Sequence, residues 1–331
     1  MFRKLCITAI AVLAMVMTVQ GASAKQIIRV GMGDAPDSDQ GYGARFFKQL
    51  VESESNGDIE VQLFPGGQLG TETEMLQNAR RGTLDLCYIG IGNAVPFVKE
   101  LGTLTMPYLI EDHYDAIKAT TGGLGSHWNQ LCIKKGGFRI LHWGYSSFRF
   151  MTNSKRPVNK LADVKGMKIR IPQNKILMAT YKAWGANPVP MAWSETFTAL
   201  QQGVVDGQDN PYIVNYTSKF AEVQDYLTEV HYQYSLQPMI VGERSWKKWD
   251  DRTKEILQRA ALETQQYWIA YQILEAAKAK EGMIKDGVEV SVLQDEAKWK
   301  QLAIDKVWPE YYDFIGGKEN LDMVVKALGK K

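Results

Sequence analysis

The sequence predicts an α/β protein of two similar lobes, each a mostly parallel sheet flanked by helices, with one long helix reaching across both. Three observations carry this. The first third of the chain alternates strand and helix patterns with short links, the order that builds a parallel sheet covered on both faces. The middle third repeats that order, and its Gly203-Val204-Val205-Asp206 echoes Gly82-Thr83-Leu84-Asp85. Asp251 to about Lys285 is the longest helical period. At 1.5 Å per residue it would span about 50 Å, too long for one small lobe.

The elements follow in order. Ile27 to Met32 reads as a strand, and Tyr42 to Glu52 as a helix with Phe46, Phe47, Leu50 and Val51 on its apolar stripe. Asn56-Gly57 is a turn, Ile59 to Phe64 alternates as a strand, and Pro65-Gly66-Gly67 breaks it. Thr71 with Glu74 three residues on is a capping box; that helix runs to Arg81 and stops at Gly82. Leu84 to Ile91 is apolar apart from Asp85 near its start, as a strand buried on both faces should be. Further on, Ile140 to Trp143 and Arg149 to Asn153 read as strands. The turn Lys165-Gly166 leads into a strand, Met167 to Ile171, which Pro172 ends because it has no N–H for a ladder. Arg170 is therefore expected at the strand's last position, and ligands of open α/β sheets bind just outside the carboxyl ends of strands. Lys175 to Trp184 is a helix closed by Gly185, Pro188 to Met191 a short strand, and Ser194 the expected cap of a helix Glu195–Gln202. Asp206 to Pro211 reads as a polar, kinked segment. In the long helix Ile256, Ala260, Thr264, Tyr267, Tyr271, Leu274 and Lys278 fall at spacings of 3 and 4. A strand Val288–Leu293 and an aromatic tail follow, and the tail packs back on a lobe. The chain crosses between lobes several times, which makes a hinged pair.

Composition narrows the class. The chain has 331 residues, 45% hydrophobic and 23% charged, a globular profile large enough for two domains. Residues 1–24 differ: Arg3 and Lys4, an apolar run from Leu5 to Val19, then Ala22-Ser23-Ala24. This is a secretory signal peptide, with cleavage expected after Ala24; its apolar run is too short for a membrane span. It carries two of the 39 basic residues, which leaves 37 against 37 acidic ones. That balance gives no support to nucleic-acid binding, which needs a basic excess on one face. Cys87 and Cys132 remain after cleavage, and their apolar neighbours favour two unpaired core thiols over a bridge.

Catalytic patterns are missing. His113, His127, His142 and His231 have no metal spacing. There is no Gly-x-Ser-x-Gly elbow and no phosphate loop, and Gly31-Met32-Gly33 runs into Asp34-Ala35-Pro36 instead of completing a dinucleotide fingerprint. Asp206 and Asp209 have no base or nucleophile beside them. Recognition is what remains. Arg170 at its strand end and Arg149, in Tyr145-Ser146-Ser147-Phe148-Arg149-Phe150, each present a planar fork that pairs bidentately with a carboxylate. An arbitrary arginine is more often a solvated surface residue. Asn210 could complete an anion's hydrogen bonds, or be a turn asparagine before Pro211. Trp193 could wall a cleft or belong to the core.

These segments carry a resemblance. Gly166-Met167-Lys168-Ile169-Arg170-Ile171-Pro172, Met191-Ala192-Trp193-Ser194-Glu195 and Asp206-Gly207-Gln208-Asp209-Asn210-Pro211 resemble the substrate-binding proteins of tripartite ATP-independent periplasmic (TRAP) transporters, of the dicarboxylate-binding DctP type. Pro65-Gly66-Gly67-Gln68-Leu69-Gly70, Gly82-Thr83-Leu84-Asp85 and Met106-Pro107-Tyr108-Leu109 agree with it, so the likeness runs from Lys25 to about Gly316. It implies a two-lobed periplasmic binding protein (type II-like) with a helix spanning both lobes. The expected first lobe is 25–146 plus about 236–275, and the second about 147–235 plus 276–331. The resemblance maps the carboxylate-binding arginine to Arg170, the supporting arginine to Arg149, the ligand amide to Asn210, the aromatic to Trp193 and a polar contact to Glu72. Two departures are visible. The usual Gly-Gln-Glu-Asn reads Gly207-Gln208-Asp209-Asn210, and Gly90 stands where sialic-acid binders of the family carry a glutamate. The function implied is capture of a small organic anion, a carboxylate such as a C4-dicarboxylate or sugar acid, or a sulfonate such as isethionate. Delivery would be to an ion-gradient-driven permease with small and large membrane subunits of the DctQ and DctM type. No cofactor, metal or catalysis is implied, and a sensor subunit of the same fold stays open as an alternative.

Overall fold

The computed structural model describes residues 25–330, so the expected leader lies outside the described residues. The chain forms β1 (Gln26–Met32), β2 (Ile59–Phe64), β3 (Leu86–Tyr88), β4 (Phe138–His142), β5 (Tyr145–Phe148), β6 (Phe150–Asn153) and β7 (Lys168–Ile171). It continues with β8 (Asn187–Pro190), β9 (Gly207–Asn210), β10 (Tyr226–Glu229), β11 (Tyr234–Leu236), β12 (Met239–Gly242) and β13 (Glu289–Val292). One sheet has the order β2-β1-β3-β12-β4 and the other β13-β10-β6-β9-β7-β8. Each is the centre of a lobe.

Both sheets are mostly parallel, and each contains one reversed strand. β12 runs antiparallel to β3 and β4, and β6 runs antiparallel to β10 and β9. These are the strands that arrive from the other lobe. β5 and β11, just before them in sequence, pair antiparallel with each other, so the two crossings are hydrogen-bonded side by side. β3 is shorter than the apolar run Leu84–Ile91, whose end turns into a short 3₁₀ segment, Ile91–Ala94. Ser194 does not act as a cap: Trp193–Glu195 is a 3₁₀ turn and the helix Thr196–Gln201 begins without a side-chain cap.

The capping box forms as read. The Thr71 hydroxyl accepts from the Glu74 N–H, the Glu74 carboxylate accepts from the Thr71 N–H, and Gly82 closes the helix Glu72–Arg81 in the left-handed conformation at φ 77°. The long helix is Asp251–Lys285, started by Asp250, whose side chain accepts from the Thr253 N–H. Ile256, Leu257, Ala260, Ala261 and Trp268 enter the first-lobe core with Ile28, Val30 and Phe47. Ala279 and Met283 enter a second-lobe cluster with Phe150, Tyr212 and Leu227. The expected stripe holds only as far as Thr264. Tyr267 and Leu274 are exposed, and burial passes to Trp268 and Gln272. The helix changes partners along its length, so the face it buries rotates. Trp268 reaches its place because Gly43 has no side chain: a Cβ there would lie 2.1 Å from the indole ring.

The tail is shared between lobes. Helix Glu296–Tyr311 packs on helix Lys175–Ala183 of the second lobe, while helix Lys318–Ala327 packs on helix His113–Thr120 and the 3₁₀ segment Lys99–Thr105 of the first. The expected assignment of 276–331 to the second lobe therefore describes only part of the tail. Among the described residues Cys87 and Cys132 are unpaired and buried, and burial pushes the Cys132 thiol up to about 12.

Candidate functional site

β7 delivers Arg170 to the site one residue earlier than its expected place at the strand end, since Ile171 still pairs with Pro190. Arg170 is 3% exposed. Nε and Nη2 both donate to the Met191 carbonyl, at 3.1 and 2.8 Å, and the Trp193 ring centre lies 5.5 Å from Cζ. Among the described residues it forms no ion pair. Burial, and then the charge of Arg149, push its pKa down to about 10.

Arg149 sits between β5 and β6 and is held differently. Nε and Nη2 take the two oxygens of Asp209 at 3.1 and 2.9 Å, and Nη1 donates to Asn210 Oδ1 at 3.0 Å. Tyr232 donates its hydroxyl to the same Asp209 carboxylate. Burial works against the Arg149 charge, but Asp209 outweighs it and raises the pKa above the ordinary arginine value. Asn210 in turn donates to Gln208 Oε1 at 2.7 Å. The segment around Asp209 is not the kinked loop expected from its polarity. Gly207–Asn210 is β9, wholly buried between β6 and β7. Its polar side chains satisfy one another: Gln208 Nε2 donates to Thr152 and Asn215, both at 2.9 Å.

The facing wall belongs to the first lobe. Glu72 opens the helix Glu72–Arg81 and is buried. It accepts from the Gly90 N–H at 2.9 Å, from Asn93 Nδ2, and from Gln40 Nε2 at 3.1 Å. A Cβ on Gly33 would lie 2.8 Å from Glu72 Oε1, so glycine there lets the carboxylate stand against the end of β1. Asp34, just past β1, is 5% exposed, and its Oδ2 has no hydrogen-bond partner among the described residues. Burial first, then the charges of Asp39 and Glu72, hold its carboxyl well above the usual range. Gln40 joins this wall to the crossing strands: it accepts from the Gly33 and Asp34 N–H groups at 3.1 and 3.2 Å and donates to Gln237 Oε1 at 2.7 Å.

All five residues singled out in the sequence, Glu72, Arg149, Arg170, Trp193 and Asn210, line one cavity of about 50 Å³ between the lobes. Asp34, Asn93, Gln233, Ser235 and Gln237 line it too and were not singled out. Asp34 had a usable signal, because it follows a parallel strand's carboxyl end as Arg170 nearly does. Gln233 and Gln237 had none, since their neighbours read only as an apolar-polar mixture. The histidines are dispersed: His142 meets Tyr88 Oη at 2.7 Å, His113 meets Tyr234 Oη at 2.7 Å, and His231 meets Glu296 at 3.1 Å. Among the described residues no group of three or more histidine, cysteine or acidic side chains could hold a metal ion.

Comparison with known proteins fixes the family. Residues 30–313 match the model of DctP, the bacterial extracellular solute-binding proteins of family 7. A solute-binding protein of Verminephrobacter eiseniae is 38% identical over 214 residues, 65% of this chain and 64% of that protein, so the aligned part falls just short of two thirds of it. The sugar acid binding protein DctPAm of Advenella mimigardefordensis, solved in complex with galactonate, superposes with a TM-score of 0.89 at 27% identity, over 92% of this chain and 98% of that one. A TRAP periplasmic solute-binding protein from Polaromonas sp. JS666, bound to D-erythronate, gives 0.85 at 34% identity over 92% and 98%. With the family model covering most of its length and the two-lobed fold shared, this chain belongs to the DctP family of TRAP solute-binding proteins, which serve transport and are not enzymes.

Proposed function

We propose that this protein captures a small organic acid in its interlobe cavity and passes it to a TRAP permease. The observation that carries the reading is Arg170: a buried guanidinium whose partner among the described residues is one backbone carbonyl. A buried cation is costly unless it is paired, and a carboxylate pairs with the guanidinium fork bidentately. In this reading Arg170 anchors the anion and Trp193 walls it. Arg149, fixed by Asp209, adds positive potential and orients Asn210, which has an N–H to spare for the ligand. Glu72 shapes the far side. The ligands named for the galactonate and erythronate complexes are carboxylates, which favours a carboxylate over a sulfonate here. Because the walls come from different lobes, ligand binding would favour the closed arrangement by hinge motion. Export by the leader, cleavage after Ala24, residence in the periplasm and handover to a small and a large permease subunit complete the proposal.

A thermal-shift screen of the mature chain tests it. Sugar acids, C4-dicarboxylates and isethionate are the probes. A ligand at 100 times its Kd adds about 2.7 kcal/mol to native stability, so at least one carboxylate is expected to raise the melting temperature by several degrees. A flat response to every organic acid would contradict the reading.

A further inference from the structure

The cavity has a cationic wall and an acidic wall, and among the described residues two buried acceptor atoms on its lining lack a hydrogen-bond partner. Arg149 is committed to Asp209, which leaves Arg170 as the guanidinium without a carboxylate partner. Among the described residues no other lysine or arginine lines the cavity. Opposite stand Asp34 and Glu72. Glu72 already accepts three hydrogen bonds. Among the described residues Asp34 Oδ2 is buried with no partner, and so is Gln233 Oε1 on the crossing strand side. Both residues line the cavity.

We propose that the acidic wall reads hydroxyl groups. Asp34 hydrogen-bonds a hydroxyl of a short monocarboxylate whose carboxylate is on Arg170, and Asp34 with Glu72 excludes a second carboxylate. The inference rests on the organic-acid reading above and narrows it to hydroxylated monocarboxylates. Hydroxyls supply the donors that Asp34 and Gln233 lack, whereas a dicarboxylate or a simple sulfonate brings only acceptors to that wall. A second carboxylate there would be a buried charge facing two acidic side chains with no cation to pair it, which is the expensive arrangement. A hydroxyl also suits Asp34 in either state, donating to the carboxylate and accepting from the acid.

The test is a titration of matched probes at neutral pH against the full mature chain. D-Erythronate, glycerate and gluconate are the hydroxylated monocarboxylates, butyrate the bare one, and succinate the dicarboxylate. At least one hydroxylated acid is expected to bind 100-fold or more tightly than butyrate and succinate. In Asp34→Ala, and in the isosteric Asp34→Asn should the alanine variant fail to fold, the ratio of that acid's affinity to butyrate's falls at least tenfold. A merely structural role for Asp34 would weaken both alike and leave the ratio unchanged, which would overturn the proposal. Succinate binding as tightly as the best hydroxylated acid would also overturn it, with the organic-acid reading intact. Failure of every carboxylate, in this set and in the thermal-shift screen, would remove the reading on which it rests.

Discussion

The two walls of the cavity are built alike and charged oppositely. Each places a charged side chain close to the exit of a parallel strand, Asp34 just after β1 and Arg170 near the end of β7. Each also carries a second charge that the scaffold has satisfied. On the cationic wall Arg149 is locked by both oxygens of Asp209. On the acidic wall Glu72 is locked by Gly90, Asn93 and Gln40. The ion-paired and hydrogen-bonded charges hold the walls in shape, while Arg170 and Asp34, which have no side-chain partner among the described residues, line the cavity. Burial alone does not tell these roles apart, because all four side chains are buried. The hydrogen-bond partners do.

That division can be broken by mutation. Arg149→Ala leaves Asp209 buried without its cation, and losing one partner of a buried ion pair costs about 3–5 kcal/mol. Urea denaturation is expected to show a loss of this size; a loss below 1 kcal/mol would mean that the pair does not hold the wall. Glu72→Ala strands the Gly90 N–H and two amide groups. It should cost about 1–3 kcal/mol in the same assay, and an unchanged midpoint would remove Glu72 from the scaffold.

Asp34 should behave in the opposite sense. Its carboxyl pKa is raised in the folded chain, by burial and then by Asp39 and Glu72. A raised pKa contributes stability that is full below the ordinary carboxylate range and is lost as pH rises through the folded value. Asp34→Asn is therefore expected to melt near the parent at pH 4 and above it at pH 7, by about 1 kcal/mol, the lower end of the cost of an unpaired buried polar group. The comparison must be made as a difference between the two proteins. His142, held down to about 4 by burial, imposes a background of opposite sign, since its contribution is full above about 6.5 and is lost as pH falls towards 4. A difference curve that is flat with pH would show that Asp34 is not strained by its wall.

The same contrast explains what could be read from the chain and what could not. Local signals acted locally and were legible: the Thr71–Glu74 capping box, the left-handed Gly82, and both ends of the long helix at Asp251 and Lys285. Arg170 was legible through its strand and Pro172, and Arg149, Asn210, Trp193 and Glu72 through a family likeness. β9 was not legible. Hydrophobic periodicity detects strands that bury apolar faces, and Gly207-Gln208-Asp209-Asn210 instead buries a polar network closed by Arg149, Thr152, Asn215 and Tyr232. The crossing strands β5 and β11 depend on each other across a long stretch of sequence, so neither has a local pattern of its own. The stripe on the long helix failed after Thr264 because its packing partner changes there. The neighbours of Asp34 look like an incomplete nucleotide loop, which hides that the strand-exit rule applies to it as well.

In the proposed function Arg170 anchors the anion. Isothermal titration of the mature chain and its Arg170→Ala variant, with the acid that gives the largest thermal shift, tests this most directly. Loss of the bidentate partner of a buried carboxylate is expected to weaken binding by about 3–5 kcal/mol, a factor of roughly 100 or more. The variant's own melting temperature should stay close to the parent's, because Arg170 gives up no ion pair among the described residues, only its contacts with the Met191 carbonyl and the Trp193 ring. Near-parental affinity in a folded Arg170→Ala protein would contradict the account.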